Sequence, residues 1–320
     1  MWTGTLYALA AGLMWGFVFV APLLLPEYPA ALLSFGRYLA FGLIALPLGW
    51  LDRRRLRALT RADWLAALEL ALIGNIVYYL LLAGAIQRAG GPLPTMIIGT
   101  LPVVIALVSN RRDARRDGRL PWRRLAPSLV AIGLGIGLVN HAELATLAPG
   151  ADLGRYAFGA LLAVGAVACW TWYPLRNADW LRAHGDRSPT TWSTAQGLAT
   201  LPLALAGYLA FLLWSGADDT SGFAQPFGPR PAVFIGLMAG IAFFASWLGT
   251  LCWNEASQRL PTTLAGQLIV FETLAALAYA FVLRGEAPGG ATLAGIALLV
   301  AGVSWALRAR PEPLAAQAAH

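Results

Sequence analysis

The feature that most limits how this chain can fold is its succession of long apolar runs separated by short polar breaks. A helix needs about 20 apolar residues to cross the hydrocarbon of a bilayer. Ten stretches are long enough, at roughly residues 3–25, 29–51, 62–88, 92–110, 122–140, 155–175, 190–214, 231–257, 261–283 and 289–308. Hydrocarbon offers no partner to a free backbone N–H or C=O, so such runs cross as helices. Only 12% of the 320 residues are charged, against about 25% in soluble domains. The expected fold class is an all-α integral membrane protein with ten transmembrane helices. The first run, residues 2–25, has no basic leader and is longer than a signal-peptide core, so it reads as the first crossing.

One stretch occurs twice. Residues 85–107 read AIQRAGGPLPTMIIGTLPVVIAL, and 171 positions later residues 256–278 read ASQRLPTTLAGQLIVFETLAALA. In both, an apolar segment ends in Gln-Arg (Gln87-Arg88 and Gln258-Arg259), breaks at a proline-containing turn and starts another apolar segment. A fixed-offset echo marks a duplicated unit. An odd number of crossings separates the copies, so they run oppositely through the bilayer, which is the plan of a transporter built from inverted repeats. Weaker pairings agree: Trp15 with Trp170 and Gly135 with Gly302. The expected division is a first five-helix repeat over residues 1–142, a second over 153–310 and a short tail over 311–320.

The chain carries arginine and no lysine. With a cytoplasmic N-terminus, 18 arginines fall in inner loops and four, Arg88, Arg155, Arg230 and Arg284, in outer ones, with Arg37 inside a helix. Both termini are therefore expected to be cytoplasmic. The net charge of +7 serves orientation, and nucleic-acid binding is not expected. Cys169 and Cys252 lie in apolar segments and suggest neither a disulfide nor a metal cluster. His141, His184 and His320 fall in loops or the tail. With no His-Glu-x-x-His and no phosphate loop, the sequence argues against an intramembrane metalloprotease or a built-in ATPase, and no cofactor or metal is expected. The loops lack the acid and histidine constellation that a membrane enzyme needs.

Polar side chains deep in a membrane need partners or a wet cavity, and so point to a substrate pathway. Counting from the helix ends puts Trp15, Asn75, Tyr78, Tyr79, Trp170, Ser246, Trp247, Gln267 and Glu272 near the midplane. Asn75, Tyr78 and Tyr79 share one helix face and present an amide, two hydroxyls and two rings, a wall for a small molecule with an apolar body and a polar end. Interhelical hydrogen bonding is their alternative role. Trp15 and Trp170 can stack on a flat substrate or face a cation, whereas Trp2, Trp50, Trp64, Trp122, Trp180 and Trp214 fit an interfacial belt. Glu272 is the one carboxylate near a helix centre and Arg37 the one arginine well inside a helix. Glu272 suits a substrate ammonium or a coupling proton and Arg37 a substrate carboxylate; helix dipoles or hydroxyls are the structural alternative. Pro22, Pro47, Pro102, Pro174 and Pro202 are expected bends.

The Gln-Arg-Leu-Pro turn at 258–261, Arg284-Gly285-Glu286 and a glycine-rich last helix resemble the drug/metabolite transporter superfamily in its ten-helix EamA-type branch. The Trp- and Tyr-rich first half is most similar to the bacterial aromatic amino acid exporters. The resemblance implies a bacterial inner-membrane secondary exporter of aromatic and other neutral amino acids, working by alternating access as a monomer or weak homodimer among membrane lipids. Cationic aromatic drugs are the alternative cargo. Members often carry Glu-Pro in helix nine, where this chain has Glu272-Thr273, so a weaker kink is expected there.

Overall fold

A computed structural model describes residues 2–89, 94, 97–113, 121–144, 153–216, 224–285 and 287–308. Among these, every regular element is helical: α1 (Trp2–Leu24), α2 (Ala30–Leu51), α3 (Arg61–Ala89), α4 (Leu101–Arg112), α5 (Trp122–Leu144), α6 (Leu153–Ala183), α7 (Pro189–Gly216), α8 (Pro231–Arg259), α9 (Thr262–Leu283) and α10 (Gly290–Arg308). Among the described residues eight helices are long and apolar enough to cross a membrane. The other two are α4, for which 12 residues are described, and α10, whose apolar part is Gly290–Ala306. The turn at 90–93, Arg115, Arg116, Arg119, Glu286, Arg310 and the tail lie outside the described residues.

The main packing partners are α1 with α8, α3 with α6, α2 with α7, α4 with α9 and α5 with α10. Exchanging each helix of the first five for the one five places later maps this set onto itself. Small residues allow the closest approaches. The backbones of α5 and α10 meet at Gly135 and Gly295, and Ser128 Oγ donates to the Gly302 carbonyl (2.9 Å), as expected where van der Waals contact and interhelical hydrogen bonds replace the hydrophobic effect.

Of the five expected proline bends, Pro22 follows a 3₁₀ turn and Pro102 sits in the first turn of α4, just after a break, whereas the other three mark no departure from regular helix. Pro47, Pro174 and Pro202 sit inside continuous helices. Helix α1 tightens to a 3₁₀ turn over Gly16–Phe19, α3 widens to a π-helix over Ala71–Val77, and α8 does the same over Ala242–Leu248. The two π segments lie 171 positions apart, the offset of the Gln-Arg echo. In α9 the helix breaks at Ile269, so a helix starts at Val270 with Glu272 in its first turn. The break forms without the proline.

One end of the bundle gathers Arg53, Arg112, Arg182 and Arg259, and is called the arginine-rich end below. Large hydrophobics face outward along the helices, as a lipid environment requires: Leu6, Leu43, Leu161 and Val282 are all more than half exposed, and Trp2, Trp50 and Trp214 sit exposed near helix ends. Trp180 does not join that belt. It is buried and donates to Asp63 Oδ1 (3.0 Å).

Candidate functional site

The irregular segments converge on one small enclosed cavity. The first π segment contributes Asn75 and the second contributes Ala245 and Ser246, positions 75 and 246 again being 171 apart. A π-turn shifts carbonyls off the α-helical ladder, and Ala245 O accepts from Trp15 Nε1 (2.9 Å). The 3₁₀ turn of α1 similarly offers Val18 O to the Tyr79 hydroxyl (3.0 Å). Each π segment also ties to a central helix: Asn75 Nδ2 donates to Thr200 Oγ1 on α7 (3.2 Å), and Ser246 Oγ accepts from Arg37 Nε on α2 (3.0 Å).

Two charges share the cavity wall, Arg37 and Glu272, 5% and 3% exposed. Arg37 is held by Ser246 and by the rings of Tyr38 and Tyr79, whose centroids lie 4.7 and 4.8 Å from its guanidinium carbon. Its Nη1 has no partner. Glu272 Oε2 has none either, and no ion-pair contact joins the two. Two further groups on the same wall, Tyr78 OH and Trp170 Nε1, lack a partner of good hydrogen-bond geometry, with the indole N–H close enough to the Glu272 carboxylate for a loose hydrogen bond to it. Leaving a buried polar group unsatisfied costs about 1–3 kcal/mol, more if charged. Four such atoms around one cavity give it a wall able to donate hydrogen bonds to, and accept them from, a small polar molecule.

The aromatic wall is a stack of rings. Trp170 is stacked between Tyr78 (4.8 Å) and Tyr173 (4.9 Å), and Trp15 meets it edge-on (5.1 Å). Trp170 joins this stack and also lines the cavity, where its Nε1 is the polar atom. The free space is about 10 Å³ for the centre of a water molecule, enough for one water. This conformation is therefore closed around its site.

Seven of the ten residues singled out in the sequence line the cavity: Trp15, Arg37, Asn75, Tyr78, Trp170, Ser246 and Glu272. Tyr79 stands behind Arg37. Trp247 packs on Phe243 (5.8 Å) and makes a long contact to Thr194 Oγ1 (3.4 Å), away from the cavity. Gln267 is buried in α9 with both amide atoms unpartnered, outside the cavity wall. The reading missed Tyr38, whose neighbour Arg37 was the available signal, and Thr250. It also missed a buried polar chain that leads from the cavity to the arginine-rich end. Tyr173 OH donates to Gln196 Oε1 (2.8 Å), and Asn177 Oδ1 accepts from Gln196 Nε2 (3.2 Å) and Trp192 Nε1 (2.9 Å). Asn177 Nδ2 then donates to Asn254 Oδ1 (2.8 Å), and Asn254 Nδ2 to Ser193 Oγ (3.2 Å). Among the described residues no group of histidine, cysteine or acidic side chains is placed to hold a metal.

Comparison with known proteins fits this arrangement. The profile of the EamA-like transporter family matches residues 2–110. The inner membrane protein YtfF of Escherichia coli (strain K12) is 58% identical over 98% of this chain and 97% of its own length. A solved crystal structure superposes with a TM-score of 0.70 over 95% of this chain and 96% of its own, at 20% identity, a likeness of fold. The chain belongs to the EamA-like family of the drug/metabolite transporter superfamily. It is a multi-pass inner-membrane protein and a transporter, not an enzyme.

Proposed function

We propose that this protein exports neutral amino acids, aromatic ones included, by alternating access at the cavity between α1, α2, α3, α6, α8 and α9. The observation that carries this reading is a closed cavity with one guanidinium, one carboxylate and a polar aromatic edge, each holding an unpartnered atom. An α-amino acid offers a carboxylate for the first, an ammonium for the second and a body for the rest. Ten crossings in two inverted repeats, residues 1–142 and 153–310, with both termini cytoplasmic, complete the proposal. It is supported by the self-mapping helix pairs and the π segments at the offset of the sequence echo, and such repeats place their sites at the mid-membrane interface. One chain holds the whole site, so a monomer suffices. Organic cations are the weaker cargo, because Arg37 faces the same space as Glu272.

Counterflow of radiolabelled tryptophan, phenylalanine and threonine into liposomes holding only this protein tests the reading. Exchange of at least one above protein-free liposomes is expected. Absence of all three, with uptake of an organic cation instead, would overturn it.

A further inference from the structure

Arg37 and Glu272 do more than offer two anchors. A lone buried charge is costly to carry through a closed, dry conformation, and a carrier with a single acid in its site needs a proton or cation to neutralise it before it returns empty. Arginine cannot shed its proton in a protein. Among the described residues the cavity wall carries one cation and one anion and no other charged side chain. The two come from different five-helix segments, α2 and α9. They are held apart: Ser246, Tyr38 and Tyr79 fix the guanidinium on its own side, and the helix break at Ile269 puts Glu272 in a first helical turn, where the helix dipole favours a negative charge.

We propose that Arg37 and Glu272 balance each other in the empty carrier and separately bind the two ends of a zwitterion in the loaded one, so that the closed site is neutral in both halves of the cycle and no coupling ion is needed. This rests on the amino acid reading above. Its consequence is that deleting one charge both changes the cargo and creates a requirement for an ion. Without Arg37, the empty site carries −1 and returns only with a proton or a cationic amine. Without Glu272, the empty site carries +1 and returns only with an anion.

The test uses the full chain in liposomes, with potential and pH gradient set independently, and three probes of shared ring and different charge: tryptophan, tryptamine and indole-3-acetate. Wild type is expected to carry tryptophan at a rate that changes less than about twofold when a membrane potential or a pH gradient is imposed, because a neutral cycle moves no net charge through the field. Arg37→Gln is expected to lose tryptophan, carry tryptamine and respond to the pH gradient by about tenfold or more. Glu272→Gln is expected to lose tryptophan and gain indole-3-acetate. Arg37→Lys and Glu272→Asp keep the charges and are expected to keep the preference for tryptophan, which also controls for folding. Wild-type tryptophan flux that rises tenfold with either gradient overturns the proposal while leaving the amino acid reading standing. So do folded glutamine variants that carry nothing or keep tryptophan. Wild type that carries no amino acid overturns both.

Discussion

The two ends of the bundle are closed by different means. At the arginine-rich end the closure is deep and made of side chains bonded to side chains: Asn177, Asn254, Gln196, Ser193 and Trp192 form one chain of fully buried groups. Below it Trp180 stacks on Trp192 with ring centroids 3.4 Å apart and donates to Asp63. At the opposite end the closure is shallow and largely backbone-directed. Tyr28 OH donates to Phe227 O (2.9 Å) and accepts from Arg230 N (2.8 Å), while Gln87 Nε2 donates to Tyr28 O (2.7 Å) and its Oε1 accepts from Ala30 N (3.1 Å). An exposed Arg230–Glu27 pair covers it. A satisfied buried network is costly to break because each member strands its neighbours, whereas exposed pairs exchange freely with water. Under the alternating-access proposal, the shallow end is thus the one expected to open at lower cost from this conformation.

Cutting the deep network gives the largest effect. Asn177→Ala removes the acceptor of two donors and the donor to Asn254, leaving Trp192, Gln196 and Asn254 short of partners; at about 1–3 kcal/mol each the loss is expected to reach about 3–5 kcal/mol. A large fall in melting temperature of the purified protein checks this, together with faster maleimide labelling of Ser246→Cys from the arginine-rich side. Labelling that stays confined to the opposite side would break the comparison.

Trp180→Phe comes next. It keeps the stack on Trp192 but removes a hydrogen bond to the Asp63 carboxylate, which retains its Thr60 cap. Bonds to charged groups are worth about 1.5–3 kcal/mol, so stability is expected to fall within that range, read from denaturation of the detergent-solubilised protein.

How far the sequence carried the site follows from where these residues sit. Arg37 and Glu272 were conspicuous because charge is rare inside apolar runs, and Gln87 drew notice because it recurs at Gln258. The echo pointed to a repeat, yet of the two glutamines Gln87 is the one bonded across an end; Gln258 Nε2 has no partner. Asn177 lies just past the sixth apolar run, which ends near residue 175, so hydropathy did not single it out. The helix continues to Ala183, since nothing in Leu175–Ala183 breaks it before Gly185. The π segments were illegible for a different reason: Gly74 lies in the first, where Tyr173 leaves no room for a side chain, but the second contains no glycine or proline at all. The break in α9 formed without the proline whose absence had suggested a weaker kink.

Tyr28→Phe probes the shallow end by deleting only a hydroxyl that is both donor and acceptor. The expected loss is about 1–2 kcal/mol, smaller than for the deep network, with faster hydrogen exchange at the amides of Phe227–Arg230. A loss equal to that of Asn177→Ala would erase the asymmetry between the ends.

Glu27→Gln is the smallest perturbation. The Arg230 guanidinium donates to Glu27 Oε1 (2.6 Å), and this bond, ahead of the charge attraction, holds the carboxyl below its ordinary value near 4.5. A carboxyl depressed on folding contributes stability above its unfolded pKa and loses it as the pH falls through the folded one. The pair therefore supports the closed end at neutral pH and lets go only in acid below about pH 4.5. Because both partners are solvent-exposed, added salt should weaken the pair as well. Expected is a wild-type melting temperature that drops slightly more than that of Glu27→Gln on acidification, and little difference at pH 7 in high salt. If the variant at pH 7 instead unfolded as readily as Tyr28→Phe, the exposed pair would be bearing the closure, and the shallow end would be electrostatic where its geometry makes it a matter of buried hydroxyl and amide bonds.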